Sequence, residues 1–119
     1  EPFYVTTPIY YVNGEPHIGT AYTTVATDAT ARFARMDGRD VFFLTGMDEH
    51  GEKVAEAAAA HGMTPQEWCD SQVTQFTELW RDLDITNDDF IRTTQPRHVK
   101  GVQDFMQKLH DNGYLYKGT

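Results

Sequence analysis

The chain has 119 residues, 39% of them hydrophobic and 24% charged, with a formal net charge of -8. That size suits one domain with a real core, and the mixed composition excludes a disordered chain. The excess of 18 acidic over 10 basic residues excludes a surface whose main work is gripping nucleic-acid phosphates.

The single cysteine, Cys69, excludes an internal disulfide and a zinc quartet built from this chain alone. It falls in a helical pattern and reads as a small buried hydrophobe rather than a reactive thiol. Apolar runs such as Val41 to Leu44 are too short to cross a membrane, and no secretory signal is present. These features imply a reducing, cytoplasmic setting without a membrane partner.

Phe3 to Tyr10 is rich in aromatic and β-branched residues and predicts a strand. Asn13-Gly14 signals a turn. From Gly19 to Met36, Ala21/Tyr22, Val25/Ala26, Ala29, Phe33 and Met36 recur at helical spacing, predicting one buried apolar face. Asp37-Gly38 ends that helix. Val41 to Thr45 predicts a strand buried on both faces, followed by a polar loop from Gly46 to Gly51. An alanine-rich helix follows, from Glu52 to His61. Thr64-Pro65-Gln66-Glu67 forms a capping box that opens another helix, ending near Asp82. Phe90 to Thr93 predicts a short strand. A last helix spans Pro96 to Asp111, with Val99, Val102, Phe105/Met106 and Leu109 facing inward. Tyr114 to Tyr116 begins a final strand, as expected of a piece of a longer protein. Alternating strands and helices predict an α/β fold with a doubly wound, Rossmann-like parallel sheet.

Ligands in such sheets bind beyond the carboxyl ends of the strands. Two loops qualify, Val12 to Thr20 and Gly46 to Gly51, and adjacent strands would bring them together. In the first, His17 and Gly19 stand at a helix N-terminus, where free N–H groups and the helix dipole favour an anion. Gly19 has no Cβ, so a flat ring can approach the backbone. The plainer alternative is a proline-histidine turn that caps a helix. In the second loop, Asp48 can pair with a substrate ammonium and His50 can add a donor. The alternative is a solvated acidic turn before a helix. Asp48, Glu49 and His50 are neighbours in sequence and do not suit convergence on one metal ion.

Pro16-His17-Ile18-Gly19-Thr20, after Thr6-Thr7-Pro8-Ile9-Tyr10-Tyr11-Val12-Asn13-Gly14, resembles the HIGH signature of class I aminoacyl-tRNA synthetases. Phe43-Leu44-Thr45-Gly46-Met47-Asp48-Glu49-His50-Gly51 resembles the next strand and loop of the methionyl-tRNA synthetase family. Asp89 to Thr94 and Gly113 to Gly118 extend the likeness over essentially the whole chain.

The resemblance implies that residues 1–119 are the N-terminal part of a nucleotide-binding catalytic domain, ending near a zinc-bearing insertion. It implies ATP-dependent activation of L-methionine to methionyl-adenylate, then transfer to tRNA(Met). ATP would enter with Mg2+, zinc would belong only to the insertion, and tRNA would bind mainly through other domains. Matched by position, His17 and Thr20 would be catalytic, and Pro16, His17, Gly19 and Thr20 would bind ATP. Ile9, Tyr11 and Asp48 would bind methionine. Tyr11 also reads as an ordinary strand aromatic, and His50 either touches substrate or orders its loop. Thr20 stands where the signature has its second histidine, so it keeps a hydroxyl donor but no charge. The family's lysine-rich KMSKS loop is not in this chain, so the isolated chain is expected to be a weak catalyst or none. Two other functions fit the same residues: another class I amino-acid-activating enzyme, and a non-catalytic nucleotide-binding module.

Overall fold

The computed structural model describes residues 1–118. Its elements are β1 (Pro2–Tyr11), α1 (Ile18–Met36), β2 (Asp40–Asp48), α2 (Glu52–Ala60), α3 (Pro65–Asp82), β3 (Asp89–Arg92) and α4 (Pro96–Asp111). The strands form one parallel sheet in the order β1-β2-β3. Parallel neighbours need helical crossovers, and α1 supplies the first while α2 and α3 supply the second. The α/β parallel-sheet expectation therefore holds.

Phe43, Thr45 and Met47 of β2 point to one face and are all buried. The Thr7 and Thr45 hydroxyls share a buried hydrogen bond of 2.7 Å on that face. Tyr10 joins the two crossovers there. Its hydroxyl bonds Thr24 of α1 at 2.8 Å, and its ring packs 6.2 Å from Phe76 and 5.9 Å from Trp80 of α3. Val12, Met47, Val54, Ala58, Trp68 and Cys69 complete the core. Tyr4, Ile9, Tyr11 and Phe42 on the other face are exposed. A register shift in β1 lies between Thr6 and Ile9. It falls at Pro8, which has no N–H to give to the ladder.

The structure corrects five expectations. β2 is not buried on both faces, since Phe42 is 46% exposed. β2 continues through Gly46 and Met47 to Asp48 instead of breaking into a loop after Thr45. Glycine permits this, because a Cβ on Gly46 would sit 2.0 Å from the Ile91 carbonyl oxygen of β3. The face of α1 is also reversed. Thr20, Thr24, Asp28, Ala31 and Ala34 are buried, while Tyr22, Phe33 and Met36 are 77%, 69% and 85% exposed. Small side chains let the helix lie close to the sheet, and its polar groups are paired there. The Asp28 carboxylate takes bonds from Thr86 N–H at 2.7 Å, Thr86 Oγ1 at 2.6 Å and Arg32 Nε at 2.6 Å. Burial alone would raise its pKa, yet the bonds from Thr86 and Arg32 outweigh burial and hold it below the usual range.

No residue of α4 is buried, and Val99, Val102, Phe105 and Met106 are exposed. Helical spacing locates an amphipathic face but not what covers it, and nothing among the described residues packs over this one. Residues 114–118 carry no regular structure, so the expected strand from Tyr114 to Tyr116 is not formed.

Gly46 gives a direct test. Gly46→Ala must push β3 away from β2, and it is expected to destabilise the fold by about 4 kcal/mol or more. Urea unfolding measures this, and a change below about 1 kcal/mol contradicts the close approach.

Candidate active site

The register of β1 and β2 builds the site. Tyr11 pairs with Asp48 at the carboxyl ends of the two strands, so both project to the same side. The chain leaves β1 through Val12, which is fully buried. Trp68 Nε1–H donates to the Val12 carbonyl at 2.5 Å, and the His61 ring stacks 4.5 Å from Trp68. α3 thereby fixes the start of the loop that leads to His17.

Two clefts meet at Tyr11 and Asn13. One, of about 340 Å³, lies among Tyr11, Asn13, His50, Lys53 and Val54. The other, of about 250 Å³, reaches Ile9, Tyr11, His17 and Thr20. Ile9, Tyr11, His17 and Thr20 line the second cleft, and Tyr11 and His50 line the first. Pro16, Gly19 and Asp48 do not line either cleft. Pro16 and Gly19 flank His17 in the chain, and Asp48 stands beside Tyr11. Tyr11 is 68% exposed, as is Tyr4 on the same face at 62%, so exposure leaves the reading of Tyr11 as an ordinary strand aromatic open.

His17 is the N-cap of α1. The Gly19 N–H donates to its Nδ1 at 3.1 Å. A backbone N–H can only donate, so Nδ1 is the acceptor and the proton of the neutral ring lies on Nε2. A histidine held this way offers an N–H to an anion at a helix end that has no acidic residue in its first turn. Gly19 has a nearer structural role than room for a flat ring. A Cβ there would meet His17 Cε1 at 2.9 Å and Nδ1 at 3.1 Å. The capping alternative and the anion-binding reading thus describe the same histidine.

The Asp48 carboxylate takes one weak bond among the described residues, from the His50 N–H at 3.5 Å, and keeps acceptor capacity. His50 Nε2 lies 3.2 Å from the Thr93 carbonyl, so the loop-ordering contact is present. Glu49 turns the other way. Its side chain is fully buried and meets Arg92 Nε at 2.6 Å and the Thr94 hydroxyl. Asp48, Glu49 and His50 therefore diverge, and no cluster of three metal-ligating side chains occurs among the described residues. Cys69 lies behind this turn, its thiol 3.8 Å from the Glu49 carbonyl. Burial, then the Glu49 charge, pushes its pKa up to about 11, so it stays a protonated core thiol.

Sequence reasoning read Asn13 only as a turn residue and Glu49 only as part of an unsuited metal trio, and it did not single out Lys53, Arg92, Thr93 or Thr94. The last three lie inside a matched motif, Asp89 to Thr94, but no local pattern ties that motif to the turn after β2.

A family model described as tRNA synthetases class I (M) matches residues 3–119. The chain belongs to this class I tRNA synthetase family. A methionine–tRNA ligase of Thermotoga maritima is 60% identical over 116 residues, and one of Streptomyces coelicolor 57% over 117. Each match covers 98% of this chain, but only 18% and 22% of those relatives. The chain spans about a fifth of the length of these synthetases. Mycobacterium tuberculosis methionyl-tRNA synthetase, solved in complex with methionyl-adenylate, matches 95% of this chain with a TM-score of 0.93 and 45% identity, over 22% of its own chain. A LeuRS from Agrobacterium radiobacter, solved with tRNA, is 24% identical with a TM-score of 0.86 and shares the fold. No described helix of this synthetase segment is long and apolar enough to cross a membrane.

The contact between Gly19 and His17 can be tested. Gly19→Ala is expected to displace the ring and cost about 1 kcal/mol through loss of the cap. Proton–nitrogen NMR should then show the His17 Nδ1 resonance shift as it loses the Gly19 N–H bond. An Nδ1 resonance unchanged in Gly19→Ala contradicts the contact.

Proposed function

We propose that this chain is the N-terminal part of the catalytic domain of a methionine–tRNA ligase. Its site activates L-methionine with ATP, taken up as the magnesium complex, and the methionyl group then passes to tRNA(Met). The tRNA is held mainly by parts of the protein outside this chain, since an acidic segment offers little grip on phosphates. The observation that carries this reading is the pairing of Tyr11 with Asp48 beside a cleft that runs to His17 and Thr20.

Adenylate formation asks for little covalent work from the protein. The methionine carboxylate attacks the α-phosphorus, pyrophosphate leaves, and catalysis rests on positioning and on stabilising developing charge. In this reading His17 donates its Nε2–H to a phosphoryl oxygen, and the N-terminal dipole of α1 adds to that stabilisation. Thr20 adds a neutral hydroxyl donor from the same turn. Pro16 and Gly19 shape the approach for the nucleotide. Asp48 holds the methionine ammonium, Ile9 and Tyr11 form the wall for the thioether side chain, and His50 orders the loop at the rim.

The test is pyrophosphate exchange into ATP by the full-length protein, with methionine, leucine or isoleucine. Methionine is expected to support exchange and the other two to fail. His17→Ala should lower kcat by about 100-fold with little change in the KM for methionine. Asp48→Asn should raise that KM by about 30-fold or more. Exchange driven by leucine or isoleucine instead would contradict the reading.

A further inference from the structure

The turn that carries Asp48 and His50 is held from behind by a buried polar assembly that touches neither cleft. Every polar group of Glu49 between the two site residues is engaged. Its N–H donates to Thr93 Oγ1 at 2.8 Å, and its carbonyl faces the Cys69 thiol at 3.8 Å. One carboxylate oxygen takes the Arg92 guanidinium at 2.6 Å, and the other takes the Thr94 hydroxyl. Arg92 also bonds Asp70 of α3, so the pair ties the turn to both β3 and α3. Thr93 closes the frame, with its N–H on the Met47 carbonyl at 3.2 Å and its own carbonyl facing His50 Nε2.

We propose that Glu49 and Arg92 are positioning residues for the amino-acid site: their ion pair, fully buried at Glu49, holds Glu49 inward and so presents Asp48 to the substrate. The inference rests on the reading of Asp48 as the methionine ammonium partner. Side chains alternate up to the end of β2 at Asp48, so fixing Glu49 inward just past it sets Asp48 on the opposite face. Stability alone does not explain the pair. A buried ion pair is often matched or bettered by apolar side chains of similar volume, whereas removing one partner leaves an uncompensated charge. What apolar replacements cannot supply is the set of directional bonds that fixes this turn. The Asp70 and Arg92 charges reinforce one another, and bonds from Arg92 and then Gln66 hold the Asp70 carboxyl below its usual range.

The experiment is pyrophosphate exchange by the full-length protein and its Glu49→Gln, Glu49→Met and Glu49→Met/Arg92→Met variants, with thermal melting of each. Glu49→Gln keeps the shape and is the variant expected to fold in every case. The expected result is a methionine KM raised by about tenfold or more in all three. The ATP KM should stay within about twofold, because the His17 loop does not touch the pair. The double replacement should recover melting temperature relative to Glu49→Met without recovering the methionine KM. In an Asp48→Asn background, Glu49→Gln should add little to the methionine KM, since its effect runs through Asp48.

A wild-type methionine KM in folded Glu49→Gln overturns the inference. So does a KM that recovers together with the melting temperature, or one that shifts equally for ATP. Each of these leaves the proposed function standing. A wild-type protein with no methionine-dependent exchange overturns the proposed function, and the inference with it.

Discussion

The site depends on the parallel register that sets Tyr11 of β1 opposite Asp48 of β2. Because side chains alternate along a strand, a slip of β1 by one residue would send Tyr11 to the helix-covered face, away from Asp48. Two features fix the register. The shift at Pro8 resets β1 by one position before Ile9, and the shared bond of Thr7 and Thr45 locks the strands at that shift. Upstream of Pro8, exposed Tyr4 stacks on Phe42 with centroids 6.1 Å apart. Downstream, Ile9, Tyr10 and Tyr11 align with Gly46, Met47 and Asp48.

Polar packing behind the sheet then sets the loops. Asp28 inside α1 grips Thr86, and Arg35 grips both Thr86 and Asp88. Asp88 in turn accepts the Phe43 N–H at 2.7 Å, so the turn before β3 is tied to α1 and β2 together. Trp68 holds Val12 from α3, and Glu49 with Arg92 holds the turn after β2. Buried bonds of this kind add modest net stability, but leaving a partner unpaired is expensive. They therefore select one arrangement of loops, in which His50 is tied to the Thr93 carbonyl and His17 keeps its Nε2 unengaged among the described residues.

Much of this was legible in the sequence because it is local. The capping box at Thr64 and Glu67 forms as its spacing implies, with Glu67 accepting the Thr64 N–H at 2.8 Å. The boundaries of α4 and the turn at Asn112-Gly113 follow from proline and glycine chemistry, and Pro-His at the mouth of α1 marks its N-cap. What was not legible depends on partners distant in sequence. The stripe of Tyr22, Phe33 and Met36 signalled a helix correctly, yet Thr24 and Asp28 take the inward face because Tyr10 and Thr86 satisfy them. Gly46 read as a loop residue because its reason for being glycine, the Ile91 carbonyl, lies 45 positions away in the chain. Glu49 read as one of three exposed acids and histidines for the same reason: Arg92 and Thr94 come from another strand and its following turn. The family resemblance named candidate ligand-facing residues, and the structure shows the frame of Glu49, Arg92, Thr93 and Thr94 around their turn.

The most direct measurement is a crystal structure of the full-length protein with a non-hydrolysable methionyl-adenylate mimic. The expected result places the methionyl ammonium on the Asp48 carboxylate, the side chain against Tyr11 and the phosphate isostere on His17 Nε2. A ligand bound away from the junction of the two loops, or one that joins His17 while its ammonium avoids Asp48, would contradict a single site built by the β1–β2 register.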